Sequence, residues 1–285
     1  MRRSLPHAIV VAMALSPVAA HAQLDVTPDV VYGHKDGMAL TYDVLRPTGP
    51  TNGAGVVYMV SGGWVSRWAD PRATGSRGLI AELTARGFTT FLVRHGSSPR
   101  YKVPEAVDDA RLAVAHIREN AQEFGIDPTR IGLTGTSAGG HLSLTVGLRA
   151  EGPTGWPDAP PAERPHQVAA IVAYFPPVDV RQWVGPNERF PALDFDPELA
   201  TGSSPILFVS DDDPPTLLLH GDEDGLVPLS HSERMHAALE EAGVVNDFVI
   251  FPGAGHGFRG EDARRGVELS VEWFERHLVE GPGRE

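Results

Sequence analysis

The sequence predicts an α/β fold: a mostly parallel sheet with helices on both faces and a short cap insertion. Three features carry this expectation. Continuous apolar runs of strand length recur along the chain, segments of helical period separate them, and glycine or proline marks almost every boundary. With 285 residues, 41% of them hydrophobic, the chain is long enough to bury a large core.

Taken in order, Val26 to Gly33 and Met38 to Leu45 read as paired strands joined by a turn at Lys35-Asp36-Gly37. Gly55 to Val60 (GVVYMV) is unbroken apolar sequence, the pattern of a strand covered on both faces. Leu79 to Arg86 is helical and stops at Gly87, and Phe88 to Val93 is the next buried strand. Pro104 to Phe124 predicts one long helix, because Val107, Ala110, Val114 and Ile117 recur at spacings of three and four. Asp127-Pro128 turns into a strand over Arg130 to Thr134, and a helix of small residues follows from Ser137 to Leu148. Val168 to Tyr174 and Thr216 to His220 are further strands. Ser230 and Glu233 form a capping box opening a helix that Gly243 closes. Phe248 to Phe251 is the last strand and Gly266 to Leu278 the last helix. Between Val180 and Pro215 the rhythm lapses. A loop of that length, leaving the carboxyl edge of a strand, is expected to form a small cap over a site, at about residues 180–215.

Composition narrows the chemistry. Lys and Arg number 24 against 37 Asp and Glu, a formal charge of −13, so the surface repels phosphate backbones and anionic lipid. Nucleic acid is not an expected partner. The absence of cysteine excludes disulfides, thiolate metal sites and a cysteine nucleophile, so any nucleophile is oxygen or nitrogen. At the N-terminus, Met1-Arg2-Arg3 is basic, Ala8 to Leu15 is an apolar run too short to span a bilayer, and Ala20-His21-Ala22 has the small-x-small form of a cleavage site. These predict a signal peptide over residues 1–22, cleaved near Ala22 to leave Gln23 first, and one exported domain over residues 23–285. No later segment approaches the ~20 apolar residues that insertion into a membrane requires.

The strongest local signal is Gly135-Thr136-Ser137-Ala138-Gly139, a G-x-S-x-G between a predicted strand and a predicted helix. A serine on so sharp a turn crowds the residues two before and two after it, which is why glycine stands at both. The turn lifts the hydroxyl above the sheet edge, and the helix beginning there turns its positive end toward it. Serine needs a base and an orienting acid. His220-Gly221-Asp222-Glu223-Asp224 follows one strand and offers three carboxylates, and Gly253-Ala254-Gly255-His256-Gly257 presents a histidine after the last strand. Both lie just beyond strand carboxyl ends, where an open α/β sheet places its site.

In this order of nucleophile, acid and histidine the chain resembles the α/β-hydrolase superfamily. The likeness is to its carboxylesterase branch, related to acetyl-xylan and bacterial feruloyl esterases and to the hormone-sensitive-lipase-like esterases, and it runs from Tyr42-Asp43-Val44-Leu45-Arg46-Pro47 to the C-terminal helix. The resemblance implies Ser137 as nucleophile, His256 as base and Asp224 as acid. Asp224 matches the aspartate of the H-G-x-x-D-x-x-V-P pattern, while Asp222 and Glu223 read as solvated neighbours. It also implies an oxyanion hole where such esterases carry H-G-G-G. Here the chain departs, with Val60-Ser61-Gly62-Gly63-Trp64 in place of that motif. Backbone N–H groups of Gly62 and Gly63, with that of Ala138, are the expected donors; Trp64 is a further candidate, and Ser61 is assigned its backbone alone. Trp64 and Trp68 either wall the substrate pocket or pack beneath the cap.

Three other motifs fit this chemistry less well. Arg94-His95-Gly96 has the R-H-G of histidine phosphatases, but it ends a middle strand and precedes Ser-Ser-Pro. Asp211-Asp212-Asp213 reads as a solvated turn, and His141 as a satisfied core histidine. The expected function is therefore an exported serine esterase acting on short-acyl or carbohydrate-linked carboxylic esters, needing neither metal nor cofactor. A prolyl-oligopeptidase-like peptidase and a non-catalytic binding protein on the same fold are the alternatives.

Overall fold

In the computed structural model, which describes residues 24–148 and 168–280, the apolar runs pair into one sheet of eight strands. The proposed signal peptide and its cleavage site lie outside the described residues. The strands are β1 (Asp25–Lys35), β2 (Met38–Arg46), β3 (Gly55–Met59), β4 (Thr89–Val93), β5 (Ile131–Thr136), β6 (Ala170–Tyr174), β7 (Thr216–Gly221) and β8 (Asn246–Phe251), in the spatial order β1-β2-β4-β3-β5-β6-β7-β8. From β4 to β8 every neighbouring pair is parallel, while β1 and β2 form an antiparallel ribbon along one edge. This is the α/β-hydrolase fold. The strand order reverses between β3 and β5, and an open α/β sheet opens a crevice at the carboxyl ends beside such a switch point.

The helices are α1 (Pro71–Gly75), α2 (Gly78–Ala85), α3 (Val103–Glu119), α4 (Ala121–Phe124), α5 (Ala138–Leu148), α6 (Ser230–Glu241) and α7 (Gly260–Phe274). Alternation along each strand sends neighbouring residues to opposite faces. Val57, Leu133, Ile171 and Leu218 pack with α3, α5 and α6, and Val56, Val172, Leu217 and Leu219 pack with α2 and α7. Burial on both faces explains why these strands read as unbroken apolar runs.

Three local expectations are corrected and one helix is added. The long helix breaks at Asn120, whose backbone leaves the helical region and whose side-chain amide donates to the His116 carbonyl at 2.8 Å. The last helix starts at Gly260, ahead of its apolar face. Ser230 lies inside α6, because Leu229 takes the cap position and no side chain caps it, so the Ser230–Glu233 box does not form. The added helix is α1, whose signal stands in the sequence: Asp70 accepts from the Arg72 amide at 3.0 Å, and Pro71 occupies the first helical position.

The insertion over residues 180–215 holds short 3-10 turns at Pro191–Leu193, Pro197–Leu199, Thr201–Ser203 and Pro205–Leu207. It is tied to the body at several points. Lys102 Nζ donates to the Pro191 carbonyl at 2.8 Å, and the Ile206 amide donates to the Val178 carbonyl at 3.2 Å. Among the described residues, no helix is long and apolar enough to cross a membrane.

Candidate active site

The strand-to-helix turn after β5 holds Ser137 at φ +54°, the strained left-handed conformation expected of a serine raised on a sharp turn. Its N–H donates to the Tyr174 carbonyl at 2.9 Å, anchoring the turn to β6. The flanking glycines are steric requirements. A Cβ on Gly135 would lie 2.5 Å from the Gly139 backbone, and one on Gly139 would collide with the Met59 carbonyl. That second approach brings the end of β3 against the start of α5.

His256 reaches Ser137 from the loop after β8, with Nε2 2.9 Å from Oγ. Its Nδ1 lies 2.7 Å from Asp224 Oδ2, on the loop after β7. The carboxylate requires Nδ1 to carry the proton, which leaves the Nε2 lone pair facing the serine hydroxyl. Asp224 Oδ1 accepts the amides of Leu226 at 2.8 Å and Val227 at 2.9 Å, so both oxygens are engaged and the side chain is buried. Asp222 is exposed and accepts the Gly253 amide at 2.6 Å, linking the two loops without touching the imidazole. Glu223 is exposed as well.

The segment after β3 is a tight hairpin. The Gly62 amide donates to the Val65 carbonyl, and the Val65 amide to the Gly62 carbonyl, each at 3.1 Å. Gly63 and Trp64 occupy its centre, both at φ +57°, the left-handed pair of a type I′ turn. This corrects the expectation for Gly62, whose N–H is engaged inside the hairpin. Gly63 N–H and Ala138 N–H, the latter on the first residue of α5, have no acceptor among the described residues.

The tryptophans separate. Trp68 is 63% exposed, whereas Trp64 is 3% exposed and packs edge-on against Phe190 of the insertion. Trp64 therefore follows the packing alternative rather than the pocket wall. Its indole Nε1 donates to His141 Nδ1 at 3.1 Å, and His141 Nε2–H donates to the Ser203 carbonyl at 2.8 Å. Burial lowers the His141 pKa to about 4, so the ring is neutral and joins the hairpin, α5 and the insertion.

Three contributors were not anticipated. Phe175, at φ +37° just past β6, sets its ring edge-on to the His256 imidazole with centroids 4.7 Å apart. His220 is fully buried behind the acid: Nε2 donates to the Val227 carbonyl at 2.9 Å and lies 3.4 Å from Asp224 Oδ2, while Nδ1 accepts from Ser232 Oγ at 2.7 Å. Burial lowers its pKa, so it braces the acid loop as a neutral ring. The H-G-x-x-D spacing holds the signal for it. The third, His95, lies on the loop after β4, with Nε2 2.8 Å from Ser61 Oγ. A cleft of about 550 Å³ runs between α1–α2 and α7, walled by Leu79, Phe175, Phe258 and Val267, with Tyr58 and Thr136, the chain neighbour of Ser137, on its lining.

Among the described residues, no group of three or more His, Asp or Glu side chains has the arrangement of a metal site. What remains is a serine, an imidazole and a carboxylate in line, with two unoccupied amides on the segments that flank the serine.

Residues 42–239 match the family model described as BD-FAE. The chain belongs to the BD-FAE family. Relatives of this BD-FAE chain include the esterases LipQ and LipC of Mycobacterium tuberculosis. LipQ is 31% identical over 81% of this chain and LipC 32% identical over 83%. The alignments span 57% of LipQ and 60% of LipC, so this BD-FAE chain matches only part of those longer proteins. Among solved structures, a truncated carbohydrate esterase from gut microbiota superposes with TM-score 0.70 at 26% identity, covering 90% of this chain and 98% of that one.

Proposed function

We propose that this chain is an exported serine carboxylesterase acting on short-acyl or carbohydrate-linked esters. The observation that carries the reading is the unbroken line from Ser137 Oγ through the His256 imidazole to a buried Asp224. The esterase names of its relatives support it, as does the carbohydrate esterase among its structural neighbours.

In this reading His256 Nε2 takes the Ser137 proton as Oγ attacks the ester carbonyl, and Asp224 stabilises the imidazolium through Nδ1–H. The amides of Gly63 and Ala138 hold the oxyanion of the tetrahedral intermediate. His256 then protonates the departing alcohol, and water, deprotonated by the same imidazole, releases the acyl group. The cleft beside Phe175 receives one arm of the ester.

A panel of p-nitrophenyl esters of rising acyl length, acetylated xylan, feruloyl esters and aminoacyl-nitroanilides tests the function. Ester turnover with silent anilides is expected. Faster anilide cleavage would favour a peptidase, and no turnover at all a binding protein. Export rests on the order of basic start, apolar run and small-x-small site, so N-terminal sequencing of the native protein should begin at Gln23. A retained Met1 on cytosolic protein would contradict it.

Gly63 provides a test of the oxyanion hole. A β-branched side chain is strained at φ +57°, and any Cβ here comes within 3.0 Å of the Phe190 ring, so Gly63→Val must turn the hairpin. Losing one donor costs about 10²- to 10³-fold in turnover. That loss is expected with the circular dichroism of the folded protein retained. A folded variant keeping more than about a tenth of wild-type turnover would move the donor elsewhere.

A further inference from the structure

The sequence leaves the Ser61 hydroxyl without a task, and the structure gives it a buried partner. Ser61 Oγ lies 2.8 Å from His95 Nε2, with Ser61 9% and His95 6% exposed. The other ring nitrogen, Nδ1, lies 2.7 Å from the Gly96 carbonyl. A carbonyl only accepts, so Nδ1 carries the proton and Nε2 accepts the proton of the Ser61 hydroxyl. With both nitrogens engaged inside the protein, His95 has none left for a phosphoryl group, and the R-H-G segment has a different use.

The ring is held from behind. The Gly96 amide donates to Asp109 Oδ2 at 2.8 Å, and Asp109 Oδ1 pairs with Lys35 Nζ at 2.8 Å, which fixes the loop after β4 against α3 and β1. From that base His95 reaches across to the residue just ahead of the Gly62 peptide. Other ties hold the rest of the hairpin: the Val60 amide donates to the Val93 carbonyl at 2.9 Å, the Ser66 amide to Ser97 Oγ at 2.8 Å, the Ser66 hydroxyl to the Val60 carbonyl at 2.6 Å, and the Ser98 amide to the Trp64 carbonyl at 3.4 Å, so His95 is the side chain that holds Ser61 itself. The related esterase pattern carries a histidine where this chain has Ser61. Here an imidazole reaches the Ser61 hydroxyl from the loop after β4. Burial lowers the His95 pKa, which keeps the ring neutral and able to accept.

We propose that Ser61 and His95 act as a coupled positioning pair that fixes the near end of the oxyanion hairpin, and so the direction of the Gly63 N–H, during ester hydrolysis. Neither touches substrate. The inference rests on the esterase reading above. It has a distinct signature, because the pair acts on the tetrahedral state and leaves ground-state binding alone.

The experiment compares Ser61→Ala, His95→Phe, the double variant and Ser61→Thr, with p-nitrophenyl acetate as substrate and an aryl boronic acid as tetrahedral mimic. Each of the first two should lower kcat about tenfold with KM unchanged, and weaken boronic acid binding by the same factor. The double variant should be no worse than either single one, since each already breaks the same bond. Ser61→Thr, which keeps the hydroxyl, should recover most of the loss. Wild-type kcat in both single variants would overturn the proposal, as would losses that multiply in the double variant. A lowered Tm with kcat and boronic acid affinity intact would do the same, leaving the bond a packing feature. Should His95→Phe fail to fold, Ser61→Ala, which removes one oxygen, still decides between these outcomes. Turnover that survives Ser137→Ala would count against the esterase reading itself, a failure separate from any result at Ser61.

Discussion

Ser137→Ala is expected to lower ester turnover on the order of 10³-fold or more, and His256→Ala to do the same. The two act as one unit across the 2.9 Å contact between Oγ and Nε2, so the double variant should lose little beyond either single one. Steady-state kinetics on p-nitrophenyl acetate measures this. What survives in all three proteins should be the smaller acceleration left by the oxyanion amides and by substrate binding. A Ser137→Ala protein keeping more than about a tenth of wild-type turnover would show the assignment to be wrong.

Asp224→Asn carries the second largest effect. Asp224 Oδ2 accepts from His256 Nδ1 at 2.7 Å while two backbone amides hold Oδ1, so the carboxylate alone selects the useful tautomer. An amide in its place can hold the geometry and still favour the wrong tautomer, a change that costs ~10⁴-fold in serine proteases with this arrangement. Asp222→Asn should matter little, because Asp222 is exposed and its contact is the Gly253 amide. A kinetic comparison giving the reverse ranking would transfer the role of acid to Asp222.

How far these residues were legible in the sequence follows from how local their signals are. The strands are buried on both faces and bounded by breakers, so β3, β4 and β7 stand out as apolar runs. Ser137, Asp224 and His256 each sit on a glycine-bearing loop beyond a strand end, and their order along the chain narrowed the choice before any distance was known. What escaped depends on residues distant in sequence. Trp64 reads equally as pocket wall or packing until Phe190 and His141 are seen to enclose it. Gly62 loses its amide to Val65 through the curl of a hairpin that no periodicity announces. Ser61 and His95 meet because β3 and β4 are parallel neighbours, and the same adjacency explains why a phosphatase-like R-H-G is a resemblance of letters only. The failed capping box is subtler. Ser230 has the right partner at the right spacing, but the chain leaves Pro228 already turning, and Leu229 takes the cap position one residue early.

The proposed mechanism turns on acylation of Ser137 Oγ. The direct test is to quench the protein during turnover of p-nitrophenyl acetate, digest it and locate the added acetyl group by mass spectrometry. One acetyl group, on Ser137, should accumulate in wild type and be absent from His256→Ala on the same timescale. An acetyl group on another residue, or steady turnover with Ser137 unmodified at every quench time, would contradict it.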